Sequence, residues 1–231
     1  MLAAALYSGY GFEEPEVDFL TSVAKTGMRV LDVGANVGLY TTLLAEKVGR
    51  EGRVWSFEPY APVRSLLLKN VRENKLSNVN VIDKAVAERT GQAVFHVFPD
   101  GADVYNSLGG RYRIEGCRAE REVLVDVISL DDFAASSGVD TVDIIKVDVE
   151  GAEELVLRGA AKLIERSKKV VILSELYEAS ARQCICSTER LVRLMTEWGF
   201  SMYRVGENRS LVPASLMELE RTNVVNAVFK R

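Results

Sequence analysis

Two stretches of this chain place polar and acidic residues where a strand would hand over to a helix. The first is Val30-Leu-Asp32-Val-Gly34-Ala35-Asn36-Val-Gly38, in which an apolar run stops at a glycine turn and a helical pattern begins at once. Glycine admits backbone angles that other residues avoid and lets a ligand come close to the main chain. Turn amides and a helix start also suit an anionic group, such as a carboxylate or phosphate. The spacing is G-x-x-x-G, not the G-x-G-x-x-G of dinucleotide sites, and it disfavours a pyrophosphate across the turn. A nicotinamide dehydrogenase fails on that spacing. The second stretch ends at Glu58, which closes the next apolar run. An acidic residue there can accept hydrogen bonds from both hydroxyls of a ribose, which points to a nucleoside cofactor with a free 2′-hydroxyl. A turn glycine plus a solvated glutamate would be the bland reading. Two such signals on consecutive β-α units make it the weaker one.

The elements that position these residues alternate. Helical spacing covers Glu16 to Lys25, then a strand Arg29 to Val33, a helix Leu39 to Val48 and a strand Arg53 to Phe57. Pro59 ends that strand, a helix spans Ala61 to Asn74, and Asn78 to Asp83 forms a third strand. Further helices are expected over Ser129 to Ser137, Ala152 to Glu165 and Thr188 to Trp198. Strands are expected over Val142 to Val147 and Lys169 to Ser174. Gly199 to Val205 and Val224 to Lys230 read as a hairpin-like pair at the sheet edge. Such a rhythm predicts an α/β, doubly wound, mostly parallel sheet covered on both faces. Gln92 to Phe98 and Glu122 to Ile128 alternate instead, as half-exposed strands of an inserted β segment around 92–128. The polar loop from Pro99 to Arg121 is long for a connection. Asn106, Ser107, Gly109 and Gly110 suit a lid and a solvated loop equally well. Arg111, Arg113, Arg118 and Arg121 could draw an acidic substrate. They interleave with Glu115, Glu120 and Glu122, as a solvated segment does. Arg166, Lys168 and Lys169 suit the end of a helix, where cations are favoured. One domain over 1–231 is expected, with 1–27 as a helical lead-in and 99–121 as a substrate or lid loop.

Composition sets the class. The chain has 231 residues, 48% hydrophobic and 27% charged, with a net charge of −4 and an isoelectric point near 5.3. Dedicated nucleic-acid binders carry a basic excess, so nucleic acid is an unlikely partner. Cys117, Cys184 and Cys186 are too few for a disulfide framework and fit a reducing compartment. No run nears the ~18–20 apolar residues of a membrane span. The start lacks the pattern of a signal peptide, and a cytoplasmic protein without membrane contact is expected.

At these residues the chain resembles the FkbM family of S-adenosylmethionine-dependent methyltransferases. The resemblance runs from about Phe12 to Glu175. Its pieces are Leu31 to Tyr40, Phe57-Glu58-Pro59, Ser129-Leu-Asp131 and Ile145-Lys146-Val-Asp148-Val-Glu150-Gly151-Ala-Glu153. The last piece is the specific one. The resemblance implies a Rossmann-like, class I methyltransferase sheet of seven strands with an antiparallel last strand. It implies methyl transfer, typically to a hydroxyl oxygen of a small molecule or sugar, with S-adenosylhomocysteine as product. Asp32, Gly34, Asn36 and Gly38 would then surround the methionine part, with Ala35 and Tyr40 in the same stretch. Glu58 would hold the ribose, and Pro59 would shape the turn beneath it. Asp83 to Ala85 would lie near the adenine. Asp148 would face the sulfonium and the acceptor.

A hydroxyl acceptor must lose its proton. Asp148 is the first candidate for base or acceptor anchor, followed by Glu150 and Glu175. His96, the only histidine, falls on an alternating strand and reads as structural. Asp148 and Glu175 are expected to end neighbouring strands, where related oxygen methyltransferases hold a divalent metal through oxygen ligands. The favoured reading has no metal, with Asp148 serving the cofactor and Glu175 shaping the pocket. The alternatives are an RNA or protein methyltransferase, and a non-catalytic cofactor-binding or scaffold protein. No Asn-Pro-Pro-Tyr-type motif, basic arm or RNA-binding module supports the former. The intact turn, Glu58 and Asp148 speak against the latter.

Overall fold

The computed structural model describes residues 14–99, 106–109, 118–184, 186–216 and 224–231. Helix α1 (Glu14–Val23) leads into β1 (Arg29–Val33), α2 (Leu39–Val48), β2 (Arg53–Phe57), α3 (Ala61–Glu73) and β3 (Val79–Ile82). The insertion holds β4 (Ala85–Val86), β5 (Gly91–Val97) and β6 (Arg121–Ile128). Helix α4 (Leu130–Ser137), β7 (Ile144–Val147), α5 (Glu153–Arg158), α6 (Ala161–Arg166) and β8 (Val171–Tyr177) follow. The chain continues with α7 (Glu178–Gln183), α8 (Thr188–Glu197), β9 (Ser201–Val205), a 3-10 turn (Glu207–Arg209), β10 (Leu211–Pro213) and β11 (Val224–Lys230).

The main sheet runs β10-β9-β11-β8-β7-β1-β2-β3. Strands β3, β2, β1, β7 and β8 are mutually parallel, and β11 is antiparallel to both β8 and β9. Strand order therefore reverses between β1 and β7, and ligands of such sheets bind beyond the carboxyl ends of the strands at that switch. Alternate residues of the inner strands feed two layers. Leu31, Val33, Ile145 and Val147 pack with Leu130, Phe133, Leu157, Leu163 and Leu191 of α4, α5, α6 and α8. Val30, Val54 and Ile144 pack on the other face with Leu20 of α1 and Leu44 of α2. Burial on both faces is why these strands read as continuous apolar runs. Strands β5 and β6 pair antiparallel, β4 joins β6 in parallel, and the three cover Tyr60 and Val63.

The seven expected strands are present with β11 reversed, and β10 adds an eighth at the edge. Four expectations need correction. The expected last two strands do pair antiparallel, as β9 and β11, but they are not the edge, because β10 pairs with β9 on its outer side. Ala227, Val228 and Phe229 are buried as an inner strand requires, while Pro213 of β10 takes the edge, where a missing N–H is tolerated. The helix expected over Ala152 to Glu165 is two helices. Asp131 makes the break: its N–H donates to the Gly159 carbonyl, and its carboxylate accepts from Lys162 N (3.1 Å) and Leu163 N (2.8 Å). The strand expected over Lys169 to Ser174 is β8, which continues to Tyr177 because β11 pairs with it there. Glu175 therefore lies inside a strand, opposite Asn226, and not at its end.

Of the 99–121 loop, Gly110, Arg111, Arg113, Glu115 and Cys117 lie outside the described residues, as does the lead-in before residue 14. Its described part packs down. Phe98 N donates to Asn106 Oδ1 (2.8 Å), buried Ser107 pairs with His96, and a side chain at Gly109 would collide with Cys184. Among the described residues no helix is long and apolar enough to cross a membrane.

Candidate active site

The glycine turn is built by what it touches. Gly34 has φ +74°, and a Cβ there would stand 1.8 Å from the Asp148 carbonyl oxygen, so the ends of β1 and β7 meet backbone to backbone. Gly38 starts α2 with φ +94° and leaves room for Leu67. The turn amides are taken up by the protein. Gly34 N and Ala35 N donate to Phe57 O, Asn36 N to Glu58 Oε2, Val37 N to Asn36 Oδ1, and Gly38 N to Ala35 O. That differs from the expected anion cradle. The side chains of Asn36 and Glu58 supply the acceptors that a bound anion would otherwise supply.

Glu58 is 6% exposed. Its carboxylate accepts from Asn36 N (3.1 Å) and Tyr60 N (2.9 Å). Burial outweighs these bonds and pushes its pKa up to about 7. A carboxylate offers about four acceptor positions, so two remain for other donors. Arg64 ties down the following turn by donating to the Glu58 and Pro59 carbonyls. Tyr60 is capped by Arg121 of β6, whose guanidinium donates to its hydroxyl and lies 5.6 Å from its ring centre.

Asp32 is fully buried, and its desolvation raises its pKa. Oδ2 accepts from Thr41 Oγ1 (2.5 Å), which also contacts Ser56 Oγ (2.8 Å). Oδ1 has no hydrogen-bond partner and lies 3.9 Å from Lys146 Nζ. Lys146 donates to Gly34 O and to Asp148 Oδ2, each at 3.1 Å, and sits 5.2 Å from the buried Tyr40 ring centre.

Beyond β7 the chain turns through Glu150 (φ +59°) and Gly151 (φ +110°). A non-glycine residue with positive φ costs roughly 1–3 kcal/mol and persists only where its surroundings impose it. Here buried Glu153 imposes it, since Oε1 accepts from both Val149 N (3.1 Å) and Gly151 N (3.0 Å). Burial raises the Glu153 pKa, and the two amides partly offset this. The turn brings carboxylate oxygens of Asp148, Glu150 and Glu175 all within 4.8 Å of one another. Three oxygens at that spacing suit a hard divalent cation as well as a hydroxyl acceptor.

The structure thus gathers Asp32, Gly34, Asn36, Gly38, Glu58 and Asp148 at the β1–β7 switch, with Glu150 and Glu175 beside them. Asp83 is exposed after β3, and Ala85 turns into the apolar cluster with Tyr60 and Val63. His96 is buried, with Nδ1 3.6 Å from Glu122 Oε1. Lys146, Glu153 and Thr41 were not singled out from the sequence. A lysine inside an apolar strand was the available signal for the first of them.

The methyltransferase FkbM domain matches residues 32–202, and the chain belongs to that family. It is similar to 2-O-methyltransferase NoeI of Sinorhizobium fredii, 24% identical over 161 residues, covering 64% of this chain and 65% of that protein. It is also similar to hexuronic acid methyltransferase AglP of Haloferax volcanii, 24% identical over 160 residues, covering 69% of this chain and 61% of that protein. Each match thus spans less than two thirds of the relative's length. The fold is shared with Aeropyrum pernix fibrillarin, solved with bound S-adenosyl-L-methionine, at a TM-score of 0.51 and 15% identity over 94% of this chain and 74% of that one.

Proposed function

We propose that this chain is an S-adenosylmethionine-dependent methyltransferase that methylates a hydroxyl oxygen of a small molecule or sugar. The observation that carries it is the direct contact of the Gly34 turn with Asp148, which sets a nucleoside-type turn against three clustered carboxylates. Membership of the FkbM family supports the reaction class, the name of the 2-O-methyltransferase supports transfer to oxygen, and that of the hexuronic acid methyltransferase supports a sugar-type acceptor. The bound cofactor supplies an activated methyl group whose leaving group is built in.

The residues divide the remaining work. Glu58 accepts from the ribose hydroxyls, and fully buried Asp32 braces the methionine end from beneath through Thr41 and Lys146. The Asp148 turn aligns the acceptor, and such alignment is worth ~7–11 kcal/mol. Asp148 anchors the hydroxyl or takes its proton, with Glu150 and Glu175 completing the wall. A positioned base adds roughly 10²- to 10⁴-fold. A divalent metal on these three carboxylates is the less favoured arrangement, because Lys146 already neutralises Asp148 at 3.1 Å. We propose a cytoplasmic setting, which the sparse, odd set of three cysteines suits.

Calorimetric titration with S-adenosylhomocysteine tests the cofactor. Binding near micromolar, about −8 kcal/mol, is expected for the wild type, with a clear loss in Glu58→Ala. No binding by folded wild type sinks the reading. Turnover on a panel of hydroxylated sugars, uronic acids included, with and without EDTA, tests the acceptor and the metal together. Loss of turnover in EDTA, restored by added magnesium, would move the three carboxylates to a metal.

A further inference from the structure

Strand β7 reads Ile-Ile-Lys-Val, and all four residues are buried. A buried ammonium costs several kcal/mol unless it is paired and hydrogen-bonded. Lys146 is both. In the parallel ladder it stands opposite Asp32. Its ammonium reaches Gly34 O and Asp148 Oδ2 at 3.1 Å and Asp32 Oδ1 at 3.9 Å, with the Tyr40 ring 5.2 Å away. One cation therefore joins the turn assigned to the cofactor, the carboxylate assigned to the acceptor and the acid beneath both. Two acids share this one positive charge, and the carboxylates of Glu150 and Glu175 lie beside Asp148.

We propose that Lys146 is a positioning residue that sets the charge of the methyl-transfer site and ties Asp148 to the Gly34 turn. It acts through Asp148, Asp32 and a carbonyl, without touching the reacting atoms. The inference rests on the methyltransferase reading and deepens it. On that reading the substrate cofactor carries a sulfonium charge and the product does not. A site with an excess of negative charge holds the charged form, and the ammonium limits that excess so that the neutral form is still released. Removing the ammonium raises the excess by one charge. That favours S-adenosylmethionine over S-adenosylhomocysteine more strongly and frees the Asp148 side chain.

The test is the ratio of the two dissociation constants, measured by calorimetry at pH 8. It needs the wild type, Lys146→Met, Lys146→Arg, Asp148→Asn and the double variant Lys146→Met with Asp148→Asn. Lys146→Met is expected to shift the ratio toward S-adenosylmethionine by at least about threefold, and Asp148→Asn to shift it comparably the other way. The double variant restores the charge and should return to within about twofold of wild type, as should Lys146→Arg. A merely structural lysine would weaken both ligands alike. A ratio that stays at the wild-type value in Lys146→Met therefore overturns the proposal. If Lys146→Met does not fold, Lys146→Gln takes its place under the same criterion. Failure of the wild type to bind either ligand overturns the methyltransferase reading itself.

Discussion

Glu58 holds a carboxylate where burial works against its charge, and this has two measurable consequences. In the folded, ligand-free protein its pKa is about 7 against an ordinary 4.5. The folded state thus binds the proton more tightly than the unfolded chain does. The resulting stability is fully present below pH 4.5 and is lost as pH rises through about 7. It amounts to as much as roughly 3 kcal/mol. Glu58→Gln should flatten that part of the stability curve, as measured by urea unfolding between pH 5 and pH 8. Binding runs the other way. Ribose hydroxyls donate best to the ionised carboxylate, so S-adenosylhomocysteine affinity should rise about tenfold between pH 6 and pH 8 and then level off. Proton release on binding, read by calorimetry in two buffers, checks it, and Glu58→Gln should remove both the slope and the release. Glu58 was legible in the sequence because a strand end and Pro59 frame it. Lys146 lay inside a quoted motif, yet its meaning was not legible. Its partners Asp32 and Gly34 come from a neighbouring strand, and only the register of β1 with β7 brings them together.

At the scale of elements, the Gly34 turn and the Asp148 turn form one contact, and each can be broken separately. Gly34→Ala combines a positive φ with a Cβ 1.8 Å from Asp148 O, so the ends of β1 and β7 must part. Loss of S-adenosylhomocysteine binding by tenfold or more is expected from ~1.4 kcal/mol of misplacement. Gly138→Ala is the control. It has a similar φ of +67° and no atom within 4 Å, so it carries only the backbone cost of ~1–2 kcal/mol and should bind normally. On the other side, both amides bonded to Glu153 use the same oxygen, Oε1. Glu153→Gln keeps that acceptor without the buried charge and should unfold within about 1 kcal/mol of wild type. Glu153→Ala leaves one buried and one part-buried amide unpaired and should cost roughly 2–4 kcal/mol, read from urea midpoints. The inner parallel strands β1, β2, β7 and β8 were legible because they are buried on both faces. The break at Gly159 and the place of β11 were not. The first depends on Asp131 reaching over from α4, and the second on β11 finding an inner slot between β8 and β9. Neither leaves a local mark beyond a glycine and an apolar strand.

For the whole molecule, we propose that the described residues unfold as one unit despite the second sheet. Tyr60 supplies the link: it follows Glu58, packs with Phe95 and Val125 of the insertion, and is held by Arg121 of β6. On the main body, Trp55 of β2 meets Phe133 edge-on at 6.0 Å between centroids, and Trp198, just after α8, packs against the same core layer. The two tryptophans, the only ones in the chain, therefore report on separate regions. Their fluorescence, separated by Trp55→Phe and Trp198→Phe, should give urea transitions that coincide with far-ultraviolet circular dichroism. S-adenosylhomocysteine at 100 times its dissociation constant adds about 2.7 kcal/mol to the folded state. For a chain of this size that raises Tm by roughly 5–10 °C, equally for every probe. If the Trp55 signal moved with ligand while the Trp198 signal melted earlier and unshifted, the region around α8 and β9 would be a separate unit. The ligand site would then belong to a smaller domain than the one proposed.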